Sequence, residues 1–146
     1  MKRWTASLLA LCLALSLAAC GGDAAPRQSQ GVDADVDLTQ LSSTLVYAEV
    51  YNMASNPQSY VGKTVRMKGN LVYQVVNGQP NPDYMACLIS DATACCAQGV
   101  EFVLAQPSAQ YPELGSTVTV TGVFATYESS GLTQIRLEQA ELQSNQ

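Results

Sequence analysis

From Lys63 onward the hydrophobic pattern of this chain takes a period of two, and that limits the architectures open to it. Val65, Met67, Gly69, Leu71 and Tyr73 fall on one face, while Thr64, Arg66, Lys68 and Asn70 fall on the other. Successive side chains of an extended strand point to opposite sides, so the alternation predicts a strand buried on one face and solvated on the other. Asn77-Gly78-Gln79-Pro80-Asn81-Pro82 concentrates turn formers and predicts a turn cluster. Strand-like runs follow at 84–90, 100–105, 117–126 and 132–142.

Upstream, Val46, Val50 and Met53 recur at spacings of four and three, which predicts a short amphipathic helix over 44–54. Ser42 or Ser43 can cap its start, and Asn56-Pro57 ends it. A chain of 146 residues has room for one domain once an export segment and a linker are set aside. Five short strands after one helix fit a small antiparallel barrel better than a sandwich, which usually needs about seven strands. The expectation is therefore a mainly β domain over 41–146, a five-stranded OB-like antiparallel barrel preceded by a short α-helix. Gly69 and Gly122 stand mid-strand, where glycine lets a strand bend or bulge.

Residues 1–19 carry Lys2 and Arg3, then a Leu/Ala-rich run over 8–17, then small residues, which is the pattern of a signal peptide too short to span a membrane. Leu17-Ala18-Ala19-Cys20 resembles the bacterial lipoprotein signal. That resemblance implies lipidation of Cys20 through a thioether, with palmitate-like acyl chains holding the mature chain on the extracytoplasmic side of a membrane of the bacterial cell envelope. Two such chains give on the order of 20 kcal/mol of membrane affinity. Cleavage at an ordinary Ala-x-Ala site is the alternative. Residues 20–40 then read as lipidated Cys and flexible linker, rich in Gly, Asp, Ala, Gln and Ser without apolar periodicity. Asp33, Asp35 and Asp37 alternate within it. They read as a solvated acidic tether, since the glycine and the later ligands of an EF-hand loop are missing.

Loss of Lys2 and Arg3 leaves five basic residues against twelve acidic ones, a net charge of −7 in place of −5. Such a domain repels phosphate backbones, so no nucleic acid is expected as a partner. The chain has no histidine, which excludes Ser-His and Cys-His nucleophile pairs and imidazole metal sites.

The stretch from Asn56 to Gly69, with Asn56-Pro57, then Tyr60-Val61-Gly62-Lys63 and an alternating strand ending in glycine, resembles the opening of many bacterial extracytoplasmic OB-like domains. Asp91-Ala92-Thr93-Ala94-Cys95-Cys96, followed by Gly99-Val100-Glu101-Phe102, resembles the cysteine-pair segment in the C-terminal domain of an uncharacterised putative permease-subunit family associated with zinc homeostasis. The likeness covers about 54–140 and lacks that family's membrane spans. It implies a binding or accessory module of a transport or envelope system rather than an enzyme.

Three thiols remain in the mature domain once Cys20 is lipidated: Cys87 in the second predicted strand, and Cys95 with Cys96 in the next loop. A disulfide of Cys87 with Cys95 or Cys96 would stabilise the domain by roughly 2–3 kcal/mol and leave one thiol over. A metal site of Cys87, Cys95 and Cys96 suits zinc or cuprous copper, with Asp91 or water as a fourth ligand. Both members of the vicinal pair can reach one ion only where the loop is turned, because neighbours on an extended strand point apart. Thiol redox chemistry at the pair is a third reading. Met53, Met67 and Met85 could suggest a copper thioether site, but Met53 and Met67 fall on core-facing periodicities and read as packing. Without basic neighbours, Tyr47, Tyr51, Tyr60, Tyr73, Tyr84, Tyr111 and Tyr127 read as barrel-wall packing, and Glu101 and Glu113 form no recognisable acid/base pair. The expected function is a membrane-anchored extracytoplasmic binding module with a thiol site for metal handling. The alternative is a structural or protein-interaction domain whose cysteines only staple it.

Overall fold

The computed structural model describes residues 33–108 and 110–144. The signal segment, Cys20 and the linker as far as residue 32 lie outside the described residues. The described chain is mainly β: β1 Val36–Asp37, α1 Ser43–Ser55, β2 Thr64–Val76, β3 Gln79–Ser90, β4 Ala97–Leu104, β5 Thr117–Ser129 and β6 Leu132–Ser144. Short 3-10 turns at Leu38–Gln40 and Pro57–Ser59 flank the helix. Among the described residues no helix is long and apolar enough to cross a membrane.

The six strands form one sheet in the order β1-β2-β3-β4-β6-β5, and β2 also pairs with β5. β2–β3, β3–β4, β5–β6 and β2–β5 are antiparallel. β4–β6 is parallel, as is the short β1–β2 pair, which departs from the wholly antiparallel arrangement expected. The long connection after Leu104 carries the chain past β6 before β5 begins, so β6 returns beside β4 in the same direction. Alternation reports which face of a strand is buried, and carries no information about which strand lies beside it.

Asn77 and Gly78, at φ 52° and 77°, make a two-residue turn, with Val76 opposite Gln79. Positive φ at both central residues gives the primed hairpin that matches strand twist, and glycine takes the second position without strain. The turn is therefore shorter than the predicted cluster, and Gln79–Pro82 belong to β3. The prolines are accommodated because β4 pairs with β3 only from Met85 to Ser90, which leaves this end of β3 with an unpaired edge. Ser130 and Gly131 repeat the turn between β5 and β6, at φ 53° and 75°.

The inward faces of the strands meet in one core, in which Val65, Met67, Leu71, Cys87, Val100, Phe102, Phe124 and Leu137 are almost wholly buried. Met53 and Met67 are packed in it as expected, and Met85 joins them. Helix α1 lies against β3 and β4 and buries Val50 and Met53. Tyr60 fixes that helix: its hydroxyl donates to Glu49 at 2.6 Å, accepts from the Asn52 side-chain amide at 2.5 Å, and its ring sits 5.8 Å from that of Phe124.

The ordered fold begins earlier than residue 41. Val36 pairs with Val65, and Leu38 is 1% exposed in the core. Asp35 accepts from the Thr64 N–H at 2.7 Å, while Asp37 accepts from the Thr39 N–H at 3.0 Å and faces Arg66 at 3.4 Å. These two carboxylates tie the segment to β2 and do not belong to a solvated tether. A two-residue strand has no periodicity to betray it, and its partners lie far along the chain.

Two mid-strand glycines mark close approaches. A Cβ at Gly69 would lie 2.5 Å from the Leu88 carbonyl oxygen and 2.7 Å from Cys87 Sγ, and one at Gly122 would lie 2.9 Å from the Glu138 carbonyl oxygen. Opposite Gly122, β6 carries an extra residue: the register shifts between Thr121 and Val123, and Gln139 takes φ 50°. At Gly99 a Cβ would meet only Ala86 and Leu88 side-chain atoms at 3.8 Å. Gly69→Ala is therefore expected to destabilise the domain by about 3 kcal/mol and Gly99→Ala to change it by less than about 1 kcal/mol, as measured by urea unfolding.

Candidate thiol and carboxylate site

The loop between β3 and β4 is short and internally closed. Ser90 pairs with Ala97 across its base, the Asp91 N–H donates to the Cys96 carbonyl at 2.9 Å, and the Ala94 N–H donates to the Asp91 carbonyl at 3.1 Å. The Asp91 side chain organises the rest. Its Oδ1 accepts from the backbone N–H groups of Thr93 at 3.1 Å and Cys95 at 3.0 Å, and the Thr93 hydroxyl also donates to the carboxylate. An aspartate that bonds the backbone two residues ahead is a common way to start a turn.

Ala94 stands at φ 56°, a left-handed conformation that costs a non-glycine residue roughly 1 kcal/mol. With that turn in place the vicinal side chains converge instead of pointing apart. Cys95 Sγ lies 3.5 Å from Cys96 Sγ and donates to Asp91 Oδ2 at 3.2 Å. One potential ligand atom from each of Asp91, Cys95 and Cys96 lies within 4.8 Å of the others. Both thiols are exposed and Asp91 is half-buried.

The electrostatics follow from these contacts. The hydrogen bond from Cys95 holds the Asp91 carboxyl below its ordinary range, and the Thr93 and backbone bonds act in the same direction. The hydrogen bond with Cys95 pushes the Cys96 thiol up, helped by partial desolvation and the Asp91 charge. Tyr47 of α1 faces the same cluster: desolvation first, then the charges of Cys96, Asp91 and Cys95, push its phenol up. This neighbour was not legible in the sequence, because it lies more than forty residues before the loop and arrives with α1, which packs on β3 and β4.

Cys87 does not join this site. It points inward from β3, pairs across the sheet with Leu71 and Val100, and is 0% exposed. Asp91 lies four positions along the chain from it, with three strand residues between, a rise of about 13 Å. A disulfide needs Cα atoms within about 7 Å, so neither Cys95 nor Cys96 reaches it, and all three thiols are free. The metal set is thus reduced from four residues to Asp91, Cys95 and Cys96, and the stapling disulfide is not formed. The sequence shows three cysteines within ten residues; strand parity sends one of them to the other side of the wall.

The tyrosines divide similarly. Tyr60 packs in the core, Tyr51 and Tyr84 are exposed, and Tyr127 donates to Glu101 under the Arg136 guanidinium, 4.7 Å from its ring centre. Comparisons with protein families, with curated proteins and with solved structures return no match.

Burial pushes the Cys87 thiol from 9.0 up to about 12. The unfolded chain loses this proton near its ordinary value while the native chain keeps it, so the stability is complete below pH 9.0 and declines as pH rises toward 12. The slope expected from this group is about 1.4 kcal/mol per pH unit in that window. Urea unfolding of wild type and Cys87→Ala at pH 8 to 11 checks it: the variant loses this part of the slope. Peptide-resolved alkylation of the native protein is expected to label Cys95 and Cys96 and to spare Cys87 until the chain unfolds.

Proposed function

We propose that this protein is a lipid-anchored, extracytoplasmic binding module whose β3–β4 loop holds a zinc-class cation between Cys95, Cys96 and Asp91. The observation that carries this is the convergence of two sulfurs and a carboxylate on a turned, exposed loop. Zinc–sulfur bonds of about 2.3 Å at a tetrahedral angle place two sulfurs about 3.8 Å apart. The 3.5 Å between Cys95 Sγ and Cys96 Sγ lies near that edge. A linear two-sulfur cuprous site would need more than about 4 Å, so the spacing favours the tetrahedral ion.

Three protein ligands leave one coordination position open, and the exposure of the loop leaves it within reach of water or of a partner's donor group. That suits an ion that is taken up and passed on, an accessory role beside a transport or envelope protein. No catalytic residue is assigned. The acidic mature chain fits a cation ligand and not nucleic acid. For the scaffold, the pairings β2–β3, β3–β4, β4–β6, β6–β5 and β5–β2 return to their starting strand, which supports an OB-like five-stranded barrel. Tethering through Cys20 follows from the lipoprotein-like signal.

Native mass spectrometry of the detergent-solubilised full chain, reduced and free of oxygen, tests the cation site. One zinc per chain is expected. Affinity should fall by about 100-fold in Cys95→Ser or Cys96→Ser, less in Asp91→Asn, and not at all in Cys87→Ala. A metal-free mass in excess zinc, or full binding by the double serine variant, overturns the proposal.

A further inference from the structure

We propose that Cys95 and Cys96 also form an oxidisable pair, and that closing it as a vicinal disulfide expels the cation. This rests on the reading of the loop as a cation site and adds a condition under which the site empties. Three observations support it. The two sulfurs are already 3.5 Å apart, so a bond of about 2 Å requires them to approach by only about 1.5 Å. Both thiols are exposed and can meet a soluble oxidant. The third thiol of the described domain, Cys87, is enclosed in the core, so the partner nearest each exposed sulfur is the other.

The oxidant is a low-molecular-weight disulfide, RSSR. One thiolate of the pair attacks it, forming a mixed disulfide and releasing one RS⁻, which takes a proton from water. The second thiolate then attacks the chain sulfur of the mixed disulfide, forms Cys95–Cys96 and releases the second RS⁻. The second RS⁻ likewise takes a proton from water, so the two thiolates give up two electrons and release the zinc ion while RSSR is reduced to two RSH. A disulfide between adjacent residues is strained, and strain raises its reduction potential, so a dithiol reductant reopens it. The closed form carries no thiolate, and Asp91 alone is left facing the cation. Binding and oxidation draw on the same two sulfur charges and exclude each other.

Zinc-loaded, detergent-solubilised full chain is treated with oxidised glutathione, and released zinc is read with a colorimetric chelator. In parallel, peptide mass mapping follows Cys95 and Cys96. Release of one zinc is expected for each chain whose Cys95–Cys96 peptide becomes about 2 Da lighter and resists alkylation, and dithiothreitol should restore both thiols and zinc uptake. Cys87→Ala should behave as wild type, and Cys96→Ser should show no loss of mass. Stable glutathione adducts, disulfide-linked dimers, or an oxidised pair that keeps its zinc would each overturn the inference. A pair that closes in a chain taking up no zinc when reduced supports the oxidisable pair and overturns the cation reading.

Discussion

Strand β2 changes partners along its length, and the rest of the domain depends on that change. From Thr64 to Asn70 it pairs with β5, and from Asn70 to Val76 with β3. The switch falls at Gly69-Asn70, where the Leu88 backbone and the Cys87 and Ile89 side chains come so close that no Cβ fits. One strand that changes partner beside a glycine thus joins the β5–β6 hairpin to the β3–β4 pair, and their inward faces fill one core. Asp35 and Asp37 add a second attachment at the start of the same strand.

The register set at that switch also places the chemistry. Leu71 opposite Cys87, and Cys87 opposite Val100, put the Cys87 thiol on the inner face and bring the strand out at Ser90 opposite Ala97. Among the described residues, the exposed thiols then lie within the six residues that close the loop. There one carboxylate satisfies two backbone N–H groups and a thiol at once, so the turn and the site share a residue. Asp91 has a structural role whether or not an ion is present. Of the three thiols, packing makes one inert and the turn makes two neighbours.

Burial patterns were readable wherever they extended over a whole element. Helix α1 spans Ser43–Ser55 where 44–54 was expected, and β5 and β6 begin at the residues foreseen. The glycine at 69 stood out because it interrupts an apolar face, and the structure gives it a close approach by the neighbouring strand. Shorter features were hidden. Val36 and Leu38 sit in a polar stretch, and nothing local distinguishes an aspartate in water from one that accepts a distant Thr64 N–H. The Ser130-Gly131 turn lies between two expected strands but was not separately recognised.

Periodicity, cysteine spacing and charge are properties of neighbours along the chain, and they determined the mainly β class, the single helix before the main strands and the loop that bears the vicinal pair. The tertiary structure decided the parallel return of β6 beside β4, the exclusion of Cys87 from the thiol site and the placement of Tyr47 beside it. Each of these turns on which distant residues share a strand pairing or a packing contact. Strand parity decides which wall of the sheet a cysteine faces, and register decides how far it lies from the loop. Both come from long-range pairing, which the order of residues along the chain does not display.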